Sequence, residues 1–183
     1  MWSAFVHAPT EGQRLAAAHL AEFVTSGDER QLFILAGHAG TGKTSLLGAL
    51  VKAMRHFGRA VVLMAPTGRA AKVLSLHAGI QACTVHKVIY REDKFEDMQT
   101  HFAAGYNSLR GALFIVDESS MLSNRGGSNI FGTGRLLDDL ISYVYSGNGC
   151  RLLLVGDTAQ LPPVGECLSP ALDPHEMRAY HLN

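Results

Sequence analysis

The chain has 183 residues, of which 47% are apolar and 17% charged, and its 16 Lys and Arg balance its 16 Asp and Glu. That length and apolar content build one domain with a sizeable core and exclude global disorder, while the zero balance excludes a uniformly basic surface, so cations that meet nucleic acid have to be local. Cys83, Cys150 and Cys167 are scattered without CxxC or Cys/His spacing, and no apolar run reaches membrane-span length, which argues against a disulfide frame, a zinc site or a membrane role and predicts a cytoplasmic protein.

In chain order, TEGQRLAAAHLAEFVTSG (10–27) predicts a helix capped by Thr10 and stopped at Gly27, with Leu15, Ala18, Leu20 and Phe23 or Val24 near helical spacing. QLFILAG (31–37) reads as a buried strand, TSLLGALVKAMRHFG (44–58) as a helix closed by Gly58, RAVVLMAP (59–66) as a second strand and GRAAKVLSLHAG (68–79) as a second helix. TVHKVIY (84–90) predicts a short helix opened by Thr84, and the charged REDKFEDMQT (91–100) a solvated loop or hairpin. GALFIVDESS (111–120) is a third buried strand running into acids. SNRGGSNIFGTG (123–134) is a glycine-rich loop, RLLDDLISYVYSG (135–147) a helix, and CRLLLVGDTAQLPP (150–163) a fourth strand with a polar end. The last 18 residues carry no strong pattern. Apolar strands alternating with helices predict an α/β fold with a mostly parallel sheet and helices on both faces. In such sheets ligands gather at the carboxyl ends of the strands, where all the polar motifs fall.

GHAGTGKT (37–44) fits G-x-x-x-x-G-K-[ST] between a strand and a helix, the context a phosphate-binding loop requires. Gly37, Gly40 and Gly42 let backbone amides turn inward, and the loop residues Gly37, His38, Ala39, Gly40, Thr41, Gly42, Lys43, Thr44 and Ser45 form the expected cradle for the phosphates of ATP. Lys43 is placed to reach the β- and γ-phosphates, and the Thr44 hydroxyl to bind Mg2+. LFIVDES delivers Asp117 for the magnesium shell and Glu118 to orient and deprotonate the attacking water. Two acids at a buried strand end are costly without a cation. Gln160, beyond the fourth strand, can hydrogen-bond the γ-phosphate or that water. Asp157 suits holding its own loop, and Pro162 and Pro163 stiffen the chain beyond it.

GHAGTGKT, APTGRAAKVL, TVHKVIY, VDESSML and GDTAQLPPVG, in this order, resemble the first RecA-like motor domain of superfamily-one DNA helicases, of the RecD-like, exonuclease V alpha-subunit type, over residues 10–166. The resemblance implies a RecA-like ATPase domain over 1–183 that couples hydrolysis of ATP with Mg2+ to 5′-to-3′ movement on single-stranded DNA. It implies that Gln13 reads adenine, and that Pro66, Thr67, Gly68 and Arg69, then Thr84 and His86, lie against the DNA strand. Lys72 adds charge or solvates its helix. Phe5, Tyr90 and Phe102 suit packing better than base stacking.

Such motors use two RecA-like domains, and nothing in this chain resembles the second, which supplies arginine fingers. The expectation is a fragment whose tail (166–183) leads toward an absent second domain; a short relative completed by a partner is the other arrangement. A nucleotide-gated binding module without motor activity is the alternative function. A P-loop kinase is disfavoured, because the flexible stretch 123–134 holds only Arg125 as a lid arginine.

Overall fold

The computed structural model describes residues 8–28, 30–93, 101–124, 131–160, 162–163 and 169–180. The sequence expectations on Phe5, Arg125, Cys167 and the end of the GDTAQLPPVG stretch lie outside these residues. The elements are α1 (Glu11–Thr25), β1 (Leu32–Ala36), α2 (Lys43–His56), β2 (Val61–Ala65), α3 (Gly68–Ala78), β3 (Ala82–Thr84), α4 (Val85–Ile89), β4 (Tyr90–Asp93), β5 (His101–Ala104), β6 (Leu113–Val116), α5 (Leu136–Ser146), β7 (Arg151–Gly156) and α6 (Pro174–Arg178).

Five strands form one parallel sheet in the order β1-β7-β6-β2-β3. The continuous apolar runs follow from burial on both faces. Leu113, Ile115, Leu153 and Val155 face Leu20, Leu47, Leu50 and Leu74 of α1, α2 and α3. Phe114, Val116, Leu152 and Leu154 face Val85, Ile89, Leu137, Leu140 and Val144 of α4 and α5. Alternate residues of one strand therefore feed two cores, and emptying one such leucine site costs about 2–5 kcal/mol.

Several expectations change. Thr10 does cap α1, in a reciprocal capping box with Gln13, but the C-cap is Ser26 rather than Gly27. The buried stripe of α1 is Ala17, Leu20, Phe23 and Val24, whereas Leu15 is 60% exposed and Ala18 also faces water. Phase decides this: 17, 20 and 24 share one side of a 3.6-residue helix, and Leu15 falls outside it. β3 extends the sheet by a three-residue edge strand, too short to carry a period. The charged stretch is flanked by an antiparallel pair, β4 with β5. The unpatterned tail contributes a 3-10 turn (Pro170–Leu172) and α6, and these bury Ala171, Leu172 and Met177.

Candidate active site

β1 ends at Ala36, and the chain turns through 37–42 into α2. Gly40 and Gly42 hold φ of 77 and 82, the left-handed region that other residues enter at a cost. Gly42 has a second reason to lack a side chain: a Cβ there would overlap the Gln13 carboxamide. Gln13 is fastened at both ends, accepting from Thr10 N at 3.0 Å through Oε1 and donating Nε2 to the Thr41 carbonyl at 3.1 Å. The Lys43 ammonium donates to the Gly37 and His38 carbonyls at 2.6 and 2.8 Å. Gly37 N donates to Gly156 O at 3.2 Å, which ties the loop to the end of β7. Gln13, Gly37, His38, Thr41, Gly42 and Lys43 line one cleft of about 340 Å³.

β6 lies two strands from β1, with β7 between them, and it carries the acids to the same edge. Thr44, Thr67, Arg69, His77, Asp117 and Glu118 line a second cleft of about 220 Å³. Asp117 Oδ1 accepts from Glu118 N at 2.9 Å. Burial pushes the Asp117 carboxyl above its ordinary value; the Glu118 amide, the Lys43 ammonium and His77 pull the other way. Such a carboxylate gains from a cation. Among the described residues no three His, Cys, Asp or Glu gather as a protein-only metal cage. Thr44 and Asp117 instead fit Mg2+, which takes one or two protein ligands and completes its shell with phosphate and water. Glu118 has a backbone φ of 54, a strained position for a residue with a side chain.

Two serines missed at the sequence level hold the acid turn. Ser119 Oγ donates to Val155 O at 2.9 Å, and Ser120 Oγ donates to Gln160 Oε1 at 2.8 Å. The second bond leaves the Gln160 NH2 donor without a partner among the described residues, the polarity an oxyanion requires. Asp157 Oδ1 accepts from Ala159 N at 2.9 Å, and that amide holds the carboxyl below its usual range. His38 Nδ1 lies 3.8 Å from the same oxygen. His77 was missed as well; only its helical phase with Val73 and Arg69 signals its place.

Pro66, Thr67, Gly68 and Arg69 follow β2, and Thr84 and His86 follow β3. The register pairs Ala65 with Thr84, so the two segments leave neighbouring strand ends. Both threonines cap helices, Thr67 accepting from Ala70 N and Thr84 from Lys87 N, each at 3.2 Å. Thr67, Gly68 and Arg69 are exposed, and Ser45 faces water at the start of α2. His86 is half-buried, its ring centroid 5.2 Å from that of Phe131 and 5.7 Å from that of Tyr90. Burial lowers its proton affinity and so favours the neutral ring. Tyr90 donates to Asp139 at 2.7 Å and Phe102 stacks on Phe131 at 4.8 Å, so both pack within the fold.

The family described as AAA domain matches residues 9–170. The chain belongs to that family. Within it, this AAA domain is a first RecA-like motor domain of the superfamily-one helicase type. It is 37% identical over 138 residues to the ATP-dependent RecD2 DNA helicase of Deinococcus radiodurans, covering 73% of this chain and 16% of that protein. It is 28% identical over 163 residues to the ATP-dependent DNA helicase dda of Enterobacteria phage T4, covering 85% and 33%. The Pif1 helicase structure from Candida albicans overlays 85% of this chain and 34% of its own with a TM-score of 0.51 at 20% identity, a likeness of fold. The AAA domain thus spans about a third or less of these proteins.

Proposed function

We propose that this chain is the ATP-binding and ATP-hydrolysing motor domain of a 5′-to-3′ helicase or translocase on single-stranded DNA, completed by a second RecA-like domain in a longer chain or a partner. The observation that carries the reading is the second cleft, where Thr44, Asp117 and Glu118 share walls with Thr67 and Arg69. Groups suited to metal and water lie beside groups suited to a DNA phosphate, so one shift of α3 is felt by both.

In this reading the loop 37–45 cradles the phosphates, Gln13 sits at the base, and Thr44 and Asp117 hold Mg2+. ATP with Mg2+ supplies a phosphoanhydride whose loss changes the charge in the cleft. Glu118 orients a water and accepts its proton, Lys43 offers positive charge, and Gln160 offers its amide protons. Thr67 and Arg69 hold the strand with one hydroxyl and one guanidinium, and Thr84 and His86 extend that track as neutral donors. The domain spans the whole chain and works in the cytoplasm.

The test is fluorescent-nucleotide binding to this chain with Mg2+, and single-strand-stimulated turnover when a second RecA-like domain is present. Nucleotide binding weakened in Lys43→Ala, and kept without turnover in Glu118→Gln, is the expected result. Tight nucleotide binding with no stimulated turnover in the two-domain form assigns the chain to the nucleotide-gated binding module instead.

A further inference from the structure

The edge of the sheet opposite the candidate active site is arginine-rich. Because the strands are parallel, the residues that precede β1, β7, β6 and β2, or open them, come together there: Arg30, Arg151, Arg110 and Arg59. From β1 to β2 the sheet is about 14 Å wide, three strand spacings. A chain of zero net charge has gathered four guanidiniums on that width. Arg30 keeps a left-handed backbone at φ 53, where glycine is easier, and lies 5.6 Å over the Tyr145 ring. Arg151 donates to Gln31 Oε1 at 3.3 Å and to the Ser26 carbonyl. Arg59 and Arg110 are exposed. Asp28 faces this group, but its carboxylate already accepts from Ser26 and Gln31. Burial lowers the proton affinity of Arg151, and the Arg59 charge adds to it, so these cations feel one another.

Two exposed rings lie close in sequence to Arg59 and Arg110. Phe57 is 75% exposed, two residues before Arg59, and Tyr106 is 76% exposed, four before Arg110. Among the described residues they are the exposed Phe and Tyr side chains. Asn107 fixes the backbone next to Tyr106 at this edge, donating Nδ2 to Val144 O at 3.0 Å and its backbone N to Ser146 Oγ at 3.1 Å, just before β7 begins.

We propose that this amino edge is a second binding surface for single-stranded nucleic acid, with Arg59 and Arg110 on phosphates and Phe57 and Tyr106 stacked on bases. It is separate from the clefts at the carboxyl edge and from segments 66–69 and 84–86. Guanidinium forks match phosphate oxygens, and exposed rings beside them give every base a stacking platform. An acidic peptide satisfies the arginines but has no use for the rings, so nucleic acid is the better occupant. The surface needs no nucleotide and stands apart from the proposed ATPase.

The experiment is fluorescence anisotropy of this chain with a labelled oligothymidylate across a salt series, with thermal melts of every variant. Arg59→Gln with Arg110→Gln is expected to weaken binding about tenfold and to flatten the salt slope by about 1.4, two phosphates' worth on a single strand. Phe57→Ala with Tyr106→Ala is expected to weaken it about tenfold at an unchanged slope. Arg59→Lys with Arg110→Lys keeps the slope, which separates lost charge from lost fold. The same factors persist in Arg69→Ala, and they persist in Lys43→Ala, where a failed nucleotide site leaves this surface intact. Wild-type affinity and slope in both amino-edge pairs overturn the proposal. So does polyglutamate that competes as well as unlabelled oligothymidylate, since that assigns the edge to an acidic protein.

Discussion

The two edges of the sheet use polar groups in opposite ways. At the carboxyl edge the polar side chains are mostly committed: Lys43 donates to two carbonyls, Asp117 and Asp157 accept backbone amides, and Ser119 and Ser120 strap the acid turn to β7 and Gln160. At the amino edge Arg59, Arg110, Phe57 and Tyr106 stand in water. A committed group holds its geometry before a ligand arrives, which suits chemistry. An open, flexible one adapts to a polymer of irregular course and lets it go.

The contrast can be broken by experiment. The largest effect is expected from Glu118→Gln, which removes the proposed proton acceptor and is expected to lower stimulated turnover by about 10²–10⁴-fold with nucleotide affinity unchanged. Lys43→Ala comes next: nucleotide affinity, measured by titration of a fluorescent analogue, falls by about 10–100-fold as one charge-assisted contact is lost, while oligothymidylate binding at the amino edge holds. Gly156→Ala probes how tightly the carboxyl edge is packed. A Cβ there would lie 2.8 Å from Leu172 Cδ1 and 3.1 Å from Ser119 Oγ, and a urea melt should show a loss of about 1–3 kcal/mol.

The smallest effect concerns pH. Burial holds the His86 imidazole below its ordinary value, so the folded state favours the neutral ring. That contribution is complete above the unfolded value of about 6.5 and is lost as pH falls through the folded one. His86→Phe should flatten this part of the stability profile in chemical melts between neutral and mildly acid pH. An unchanged slope would mean that His86 titrates as freely in the fold as in the open chain.

The carboxyl edge was legible because each of its parts is contiguous. GHAGTGKT, VDESS and GDTAQ each carry their glycines, acid or amide within a few residues of a strand end, and strand order only brings them together. The amino edge was invisible for the converse reason. Arg30, Phe57, Arg59, Tyr106, Arg110 and Arg151 are dispersed along the chain, and only the order β1-β7-β6-β2 makes them neighbours. Ser120 was missed because a serine after an acid carries no signal of its distant partner. β3 was missed because three residues hold no period. In α1 the run of alanines blurred the phase, which let Leu15 be read as core. The tail carried its buried Leu172 and Met177 too far apart to show a stripe.

The Gln13 carboxamide serves the first turn of α1 with its oxygen and the phosphate loop with its nitrogen. Helix fraying and loop movement therefore draw on the same two bonds. Any shift that pulls Thr41 from Gln13 also loosens the Thr10 cap, and any grip on the loop tightens it. Amide hydrogen exchange at the start of α1 becomes a gauge of the loop, read from a helix that supplies no ligand backbone of its own.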